Sequence, residues 1–274
     1  MPPESGLSDI PITHLRRHLV STIRWPIRNH TMNSSNLASI YFNILSDIDI
    51  SLLDRSPAVS KTSHNISGIF LPSLPENFHQ AKRRTMIVGC ETKAWSVLKN
   101  DERFVDLSSY IARAVTKHKV FFEEQLKKKN SRGCTFHNFT RSVATECGKD
   151  GLIYANLFCF SWKNGSPLKS PYFETIKKYS GPLLKAQISF FKPDTIIFAN
   201  GINTAPYRRK LFPIDGENSV CKNSRDYSKQ GISKHQLWEF DLYDGIRCFR
   251  IHHPSAQGKD AAEARKFLLG LLAV

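Results

Sequence analysis

The stretch TMIVGCETKAW, residues 85–95, is a short apolar run that closes at Gly89 and turns polar at once. So short a run, apolar along its length, suits a strand covered on both faces, as parallel strands are. Three later runs share that character: LIYANLFCF at 152–160, DTIIFA at 194–199 and IRCFRI at 246–251. Helical periodicity lies between them. Leu107, Ile111, Val115, Phe122 and Leu126 form one stripe over 107–128, and Lys127, Lys128 and Lys129 complement the helix dipole at its C-terminal end. Residues 172–191 read as a second helix containing Gly181-Pro182, 204–212 as a short third, and 260–272 as the last. A β segment at His235–Asp241 precedes the turn Tyr243–Gly245. This alternation predicts an α/β fold, a three-layer sandwich around a central, mainly parallel four-stranded sheet built from the four runs.

Upstream the pattern differs. Ser34 and Ser35 stand as caps for a stripe of Leu37, Ile40, Tyr41, Ile44 and Leu45, while 54–77, with Pro57, Pro72 and Pro75, reads as loop. Residues 1–80 are therefore expected to be a helical and loop-like extension, and 81–274 the main domain. The first residues carry no signal-peptide core, and no stretch reaches the roughly 18 apolar residues of a membrane span. Six cysteines occur without CxxC spacing. That disfavours a zinc ribbon and fits a reducing, cytoplasmic compartment. Lys and Arg number 39 against 24 Asp and Glu, a net charge of +15. Such an excess points to a polyanionic partner, nucleic acid first, and the chain is expected to be a monomer with no membrane attachment. Neither GxGxxG nor GxxxxGK[ST] occurs, which weakens a nucleotide-binding alternative.

In parallel sheets, ligands bind beyond the carboxyl ends of the strands. At the first such end, Gly89 leaves room for backbone to approach a ligand, and Glu91 follows in the loop. The second strand carries Asn156, whose amide needs partners and can read a donor/acceptor pair on a base edge. The last strand ends in Ile251-His-His-Pro-Ser255, where Pro254 fixes the turn and holds His253 at the same edge. His252 should face the other way and be structural. A carboxylate, an amide and an imidazole meeting there suit an N-glycosidic bond. The carboxylate stabilises a sugar cation and orients water, and the imidazole donates to the departing anionic base.

The ordered set Gly89-Cys-Glu-Thr-Lys93, Asn156, Ile197-Phe-Ala-Asn-Gly201 and His253-Pro-Ser255 resembles the uracil-DNA glycosylase superfamily over roughly residues 83–272. The resemblance implies a glycosylase without metal or organic cofactor. In it Glu91 positions water, Asn156 recognises the base and His253 stabilises the leaving group. Ser255 and the turn containing Gly201, Asn203 and Thr204 would hold phosphates, with Arg208, Arg209, Gln257 and Lys259 nearby on the DNA side. Two departures mark this chain. Lys93 stands where the uracil-specific branch has a Tyr that blocks the pyrimidine C5 side. Ala256-Gln-Gly-Lys259 follows the His-Pro-Ser motif without an apolar wedge. An open C5 side suits a 5-modified pyrimidine, with glucosylated 5-hydroxymethylcytosine of phage DNA as the candidate and antiviral defence as the setting. Gly89, Cys90, Lys93, Trp95 and Trp162 would then line the base site, the two Trp residues serving either there or in the core. The alternatives are plain uracil excision in base repair and a catalytically silent DNA-binding homologue.

Overall fold

The computed structural model describes residues 33–60, 65–243 and 245–273. The sequence expectations for residues 1–32 lie outside these. Six strands form one mixed sheet: β1 (Thr85–Gly89), β2 (Leu152–Asn156), β3 (Thr195–Phe198), β4 (Cys221–Arg225), β5 (Leu237–Leu242) and β6 (Ile246–Ile251). Their spatial order is β2-β1-β3-β6-β5-β4. The four apolar runs are the parallel part, β2-β1-β3-β6, and β5 and β4 continue it antiparallel. The sheet is thus six-stranded and mixed, where the sequence predicted four mainly parallel strands. The tight turn after Leu242 folds β5 back along β6, and β4 then covers the outer edge of β5. β4 is CKNSR, with only Cys221 buried. A polar strand of this kind suits a sheet edge and carries no apolar alternation for sequence reading to detect.

Helices flank the sheet: α1 (Ser34–Leu45), a single turn α2 (Pro57–Ser60), α3 (Leu107–Lys127), α4 (Thr135–Cys147), α5 (Phe173–Phe191), α6 (Ala205–Leu211) and α7 (Lys259–Leu272). Asn33 caps α1 by accepting from Asn36 N–H, so the cap precedes the two serines expected to supply it. Asp106 caps α3, accepting from the Ser109 N–H at 2.8 Å and its hydroxyl at 2.6 Å. Tyr110, Ala114, His118 and Phe122 of α3 recur every fourth residue and are all buried. Alternation along the strands assigns the faces. Tyr154 of β2 meets His118 and Phe122 of α3 and Phe136 of α4. On the other face Phe198 of β3 meets Phe212, which follows α6, and Phe240 of β5. No helix among the described residues is long and apolar enough to cross a membrane.

Residues 33–60 and 65–80 belong to the same compact unit as the sheet. Leu37, Tyr41 and Leu45 are fully buried, and the Tyr41 hydroxyl donates to Pro72 O at 2.8 Å. The segment 66–71 then ties two strand exits together. Gly68 N–H donates to Trp95 O at 2.7 Å and Phe70 N–H to Cys159 O at 2.8 Å.

Candidate active site

The chain leaving β1 stays paired with the chain leaving β2: Leu157 N–H donates to Gly89 O and Phe158 N–H to Cys90 O, both at 2.9 Å. Gly89 and Asn156 are register partners at this edge. A Cβ on Gly89 would lie 2.6 Å from the Asn156 amide and 3.1 Å from Phe136 Cζ. The glycine is therefore required by close packing of protein groups, where the sequence suggested room for a ligand. Asn156, 6% exposed, is oriented by its hydrogen bonds. Its side-chain oxygen accepts from Thr92 N–H at 3.2 Å and from the Thr92 hydroxyl at 2.7 Å, and its nitrogen donates to Ala155 O at 3.2 Å. The Thr92 hydroxyl also meets the Tyr154 hydroxyl at 3.1 Å. An amide has two acceptor lone pairs and two N–H donors. Both lone pairs are thus used, and one N–H remains to donate.

Glu91 is half-buried, and its Oε2 is shielded from solvent without a hydrogen-bond partner in the protein. A buried carboxylate oxygen left in this way is costly unless something polar reaches it. Burial, then the adjacent Glu91 carboxylate, push the Cys90 thiol far above its ordinary range. Cys90 is thereby kept as a thiol, unsuited to nucleophilic attack. Lys93 is exposed. Its ammonium is near enough to act on both Cys90 and His253.

Pro254 is buried directly after His253. The His253 Nδ1 accepts from Ser255 N–H at 3.2 Å and lies 2.6 Å from the Ser255 hydroxyl. A backbone N–H only donates, so Nδ1 is the acceptor and the ring proton sits on Nε2. Burial, then the charges of Lys93 and Arg265, hold the imidazole below its ordinary value. His253 is therefore a neutral Nε2–H donor at pH 7. Its ring stacks on Phe136, centroids 5.7 Å apart and planes 26° from parallel. Gly201, at φ +80°, brings the turn after β3 against His253, for a Cβ there would lie 3.6 Å from His253 Cβ. Phe136 links the set, since it touches Gly89, Tyr154 and His253.

Other expected site residues lie elsewhere or have different duties. Trp95 is buried, donates from Nε1 to Ile69 O at 2.9 Å and packs edge-on against Phe70. It is a core residue. Trp162 is half-buried in a small hairpin, bridged to Ile66 and Gly165, with Lys163 Nζ 4.6 Å from its ring. The Thr204 hydroxyl is buried and donates to the carbonyls of Asn200 at 2.9 Å and Gly201 at 3.1 Å, so it shapes the turn. Arg208 is 1% exposed and lies against the rings of Phe198, Trp238 and Phe240, out of reach of a surface phosphate. Asn203, Arg209, Ser255, Gln257 and Lys259 are exposed. Lys259 is 3.8 Å from Glu263.

Sequence reading missed Phe136, Tyr154 and Ser166. Phe136 has the pattern of any core aromatic. Tyr154 is one of many apolar positions in its strand. Ser166 lies beside the Cys90 thiol and follows the hairpin glycine, a place with no sequence signal of its own. Among the described residues, no three His, Cys, Asp or Glu side chains come together as a metal-ligand set. The cavities along α3 and beside α4 include none of Glu91, Asn156 or His253. No protein-family model matches the chain, and no curated protein is similar to it.

Proposed function

We propose that the chain is a DNA glycosylase that hydrolyses the N-glycosidic bond of a 5-modified pyrimidine and leaves an abasic site. The observation that carries this reading is the neutral, oriented His253, whose Nε2–H is free to donate at the strand edge that also bears Glu91 and Asn156. As the bond to the sugar breaks, negative charge gathers on the pyrimidine O2. A donor already aimed at that oxygen stabilises the charge as it forms. The unpartnered Glu91 Oε2 accepts from a water and faces the cation developing on the sugar. The remaining Asn156 N–H donates to an acceptor on the base edge. An unprotonated ring nitrogen, as in cytosine, is such an acceptor. The base reaches these groups by leaving the stack, at a cost of a few kcal/mol.

Lys93 supports the choice of substrate. A flexible, exposed cation stands where a ring would close the C5 side, so a bulky 5-substituent such as a glucosylated hydroxymethyl group is tolerated. The parallel order β2-β1-β3-β6, with its functional groups after β1, at the end of β2 and after β6, supports kinship with the uracil-DNA glycosylase superfamily. The test is a set of oligonucleotides bearing uracil, 5-hydroxymethyluracil, 5-hydroxymethylcytosine or its glucosylated form, read by alkaline cleavage at abasic sites. Cleavage of the modified cytosines is expected. Cleavage of uracil alone selects the repair reading, and intact strands throughout select the silent DNA-binding reading.

A further inference from the structure

We infer that the cavity between the C-terminal end of α3 and the outer side of α4 is a second phosphate site, occupied by the backbone of the DNA strand that flanks the excised base. The occupant rests on the DNA partner proposed above; the cavity's chemistry does not. The cavity measures about 470 Å³, and its lining includes Lys128, Lys129, Asn130, Arg141 and Lys149. Four of those residues are cations and none is acidic. The neighbouring cavity makes the contrast: it shares Lys149 but also contains Glu76, Glu123 and Asp150, and so is neutralised from within.

Two simpler accounts fall short. Lysines at a helix C-terminus complement the helix dipole, and that explains Lys128 and Lys129 at the end of α3. It does not explain Arg141 from the middle of α4, or Lys149 beyond its end, converging on the same space. Ordinary solvated lysines would also leave Arg141 unexplained, because its guanidinium is held in place. Nε donates to Asn130 Oδ1 at 2.9 Å, Nη1 to Gln125 O at 2.7 Å and Nη2 to Asn138 Oδ1 at 2.5 Å. All three acceptors are neutral, so the fork is oriented while its charge stays uncompensated. Preorganised guanidinium and ammonium groups around a carboxylate-free cavity suit phosphate oxygens.

The cavity also connects to the candidate site. Arg141 and Lys128 lie close enough to His137 to help hold its imidazole down to about 4, after burial as the main cause. His137 adjoins Phe136, the residue stacked on His253. α4 thus carries Phe136 at the candidate site and Arg141 at the cavity, so one helix spans both places that a strand leaving that site would touch.

The test is equilibrium binding to a fluorescent duplex across 50–200 mM salt, with K128S/K149S against wild type. K185S/K229S, which removes two exposed lysines elsewhere, serves as the charge control. For each phosphate that the protein no longer neutralises, the slope of log affinity against log salt becomes shallower by about 0.9. The cavity variant should therefore be shallower by about two and lose about tenfold less affinity over that salt range. The control should match wild type. Equal slopes for all three proteins overturn the inference. So does a wild type that takes up tripolyphosphate in this cavity while the cavity variant binds DNA unchanged. Excision is not needed for this readout. A chain that cleaves nothing yet shows the expected slopes refutes the glycosylase and keeps the cavity, and normal excision with equal slopes does the reverse.

Discussion

The imidazole of His253 rests on the ring of Phe136, and Phe136 comes from a helix 117 residues earlier in the chain (253 − 136). Without that ring, the Ser255 hydrogen bonds, the buried Pro254 and the turn at Gly201 are left to fix the imidazole. Phe136→Leu should leave the fold intact and lower single-turnover excision by up to about a hundredfold, because small misplacements of a catalytic group are expensive. The His253 side-chain resonances should broaden in the same variant. An unchanged rate would remove Phe136 from the site.

Gly89→Ala offers a sharper steric test. Its methyl group would meet both the Asn156 amide and Phe136 inside van der Waals distance. Overpacking of this kind costs about 1–3 kcal/mol. Urea unfolding should show that loss. Excision should fall further than stability alone explains, since both displaced groups belong to the site.

Neighbouring arginines should diverge. Arg208 and Arg209 look alike in sequence, yet Arg208 is buried with Nε and Nη1 unpaired, and Arg209 is exposed. Burial pushes the Arg208 guanidinium down to about 10, with Arg250 nearby adding repulsion. Replacing it by an apolar side chain of similar size ends the desolvation cost of the buried charge and gives up its contacts with the three rings. Arg208→Met should hold or raise the melting temperature and leave DNA affinity alone. Arg209→Ser should weaken DNA binding and make the salt slope shallower by about one. Weaker DNA binding from Arg208→Met with stability unchanged would return that residue to the DNA surface.

Acid should destabilise the fold through His118. Burial among Phe70, Phe122 and Tyr154 pushes this imidazole down to about 3, against an ordinary 6.5. Above pH 6.5 both folded and unfolded chains carry it neutral, and it contributes no pH dependence. Between that value and about 3 the unfolded chain takes up a proton that the native chain refuses. Stability then falls by about 1.4 kcal/mol per pH unit. His137, held near 4, adds the same sign over a narrower window. Unfolding free energies measured from pH 7 to pH 4 should decline more steeply for wild type than for His118→Gln. Parallel lines would contradict the assignment.

The four parallel strands could be read from residues 85–95 and their three counterparts, and the long helix from the apolar stripe over 107–128. These runs are apolar, short and bounded, so pattern and structure agree. Three features were hidden for physical reasons. β4 is an edge strand whose exposed polar residues satisfy the sheet through backbone hydrogen bonds alone. α4 buries only Phe139, Thr140 and Val143 among polar neighbours, too thin a stripe to register. Thr92 and Tyr154, which orient Asn156, are distant in sequence and acquire meaning only when the strand ends meet.

The central claim is that His253 donates to a departing base at an edge shared with Glu91 and Asn156. Its most direct test is mass spectrometry of the small molecules released from a duplex carrying glucosylated 5-hydroxymethylcytosine. Wild type should release the intact modified base in amounts equal to the abasic sites formed, and His253→Ala should release it about a hundred- to a thousandfold more slowly. No free base from wild type, or equal release by His253→Ala, would contradict the account.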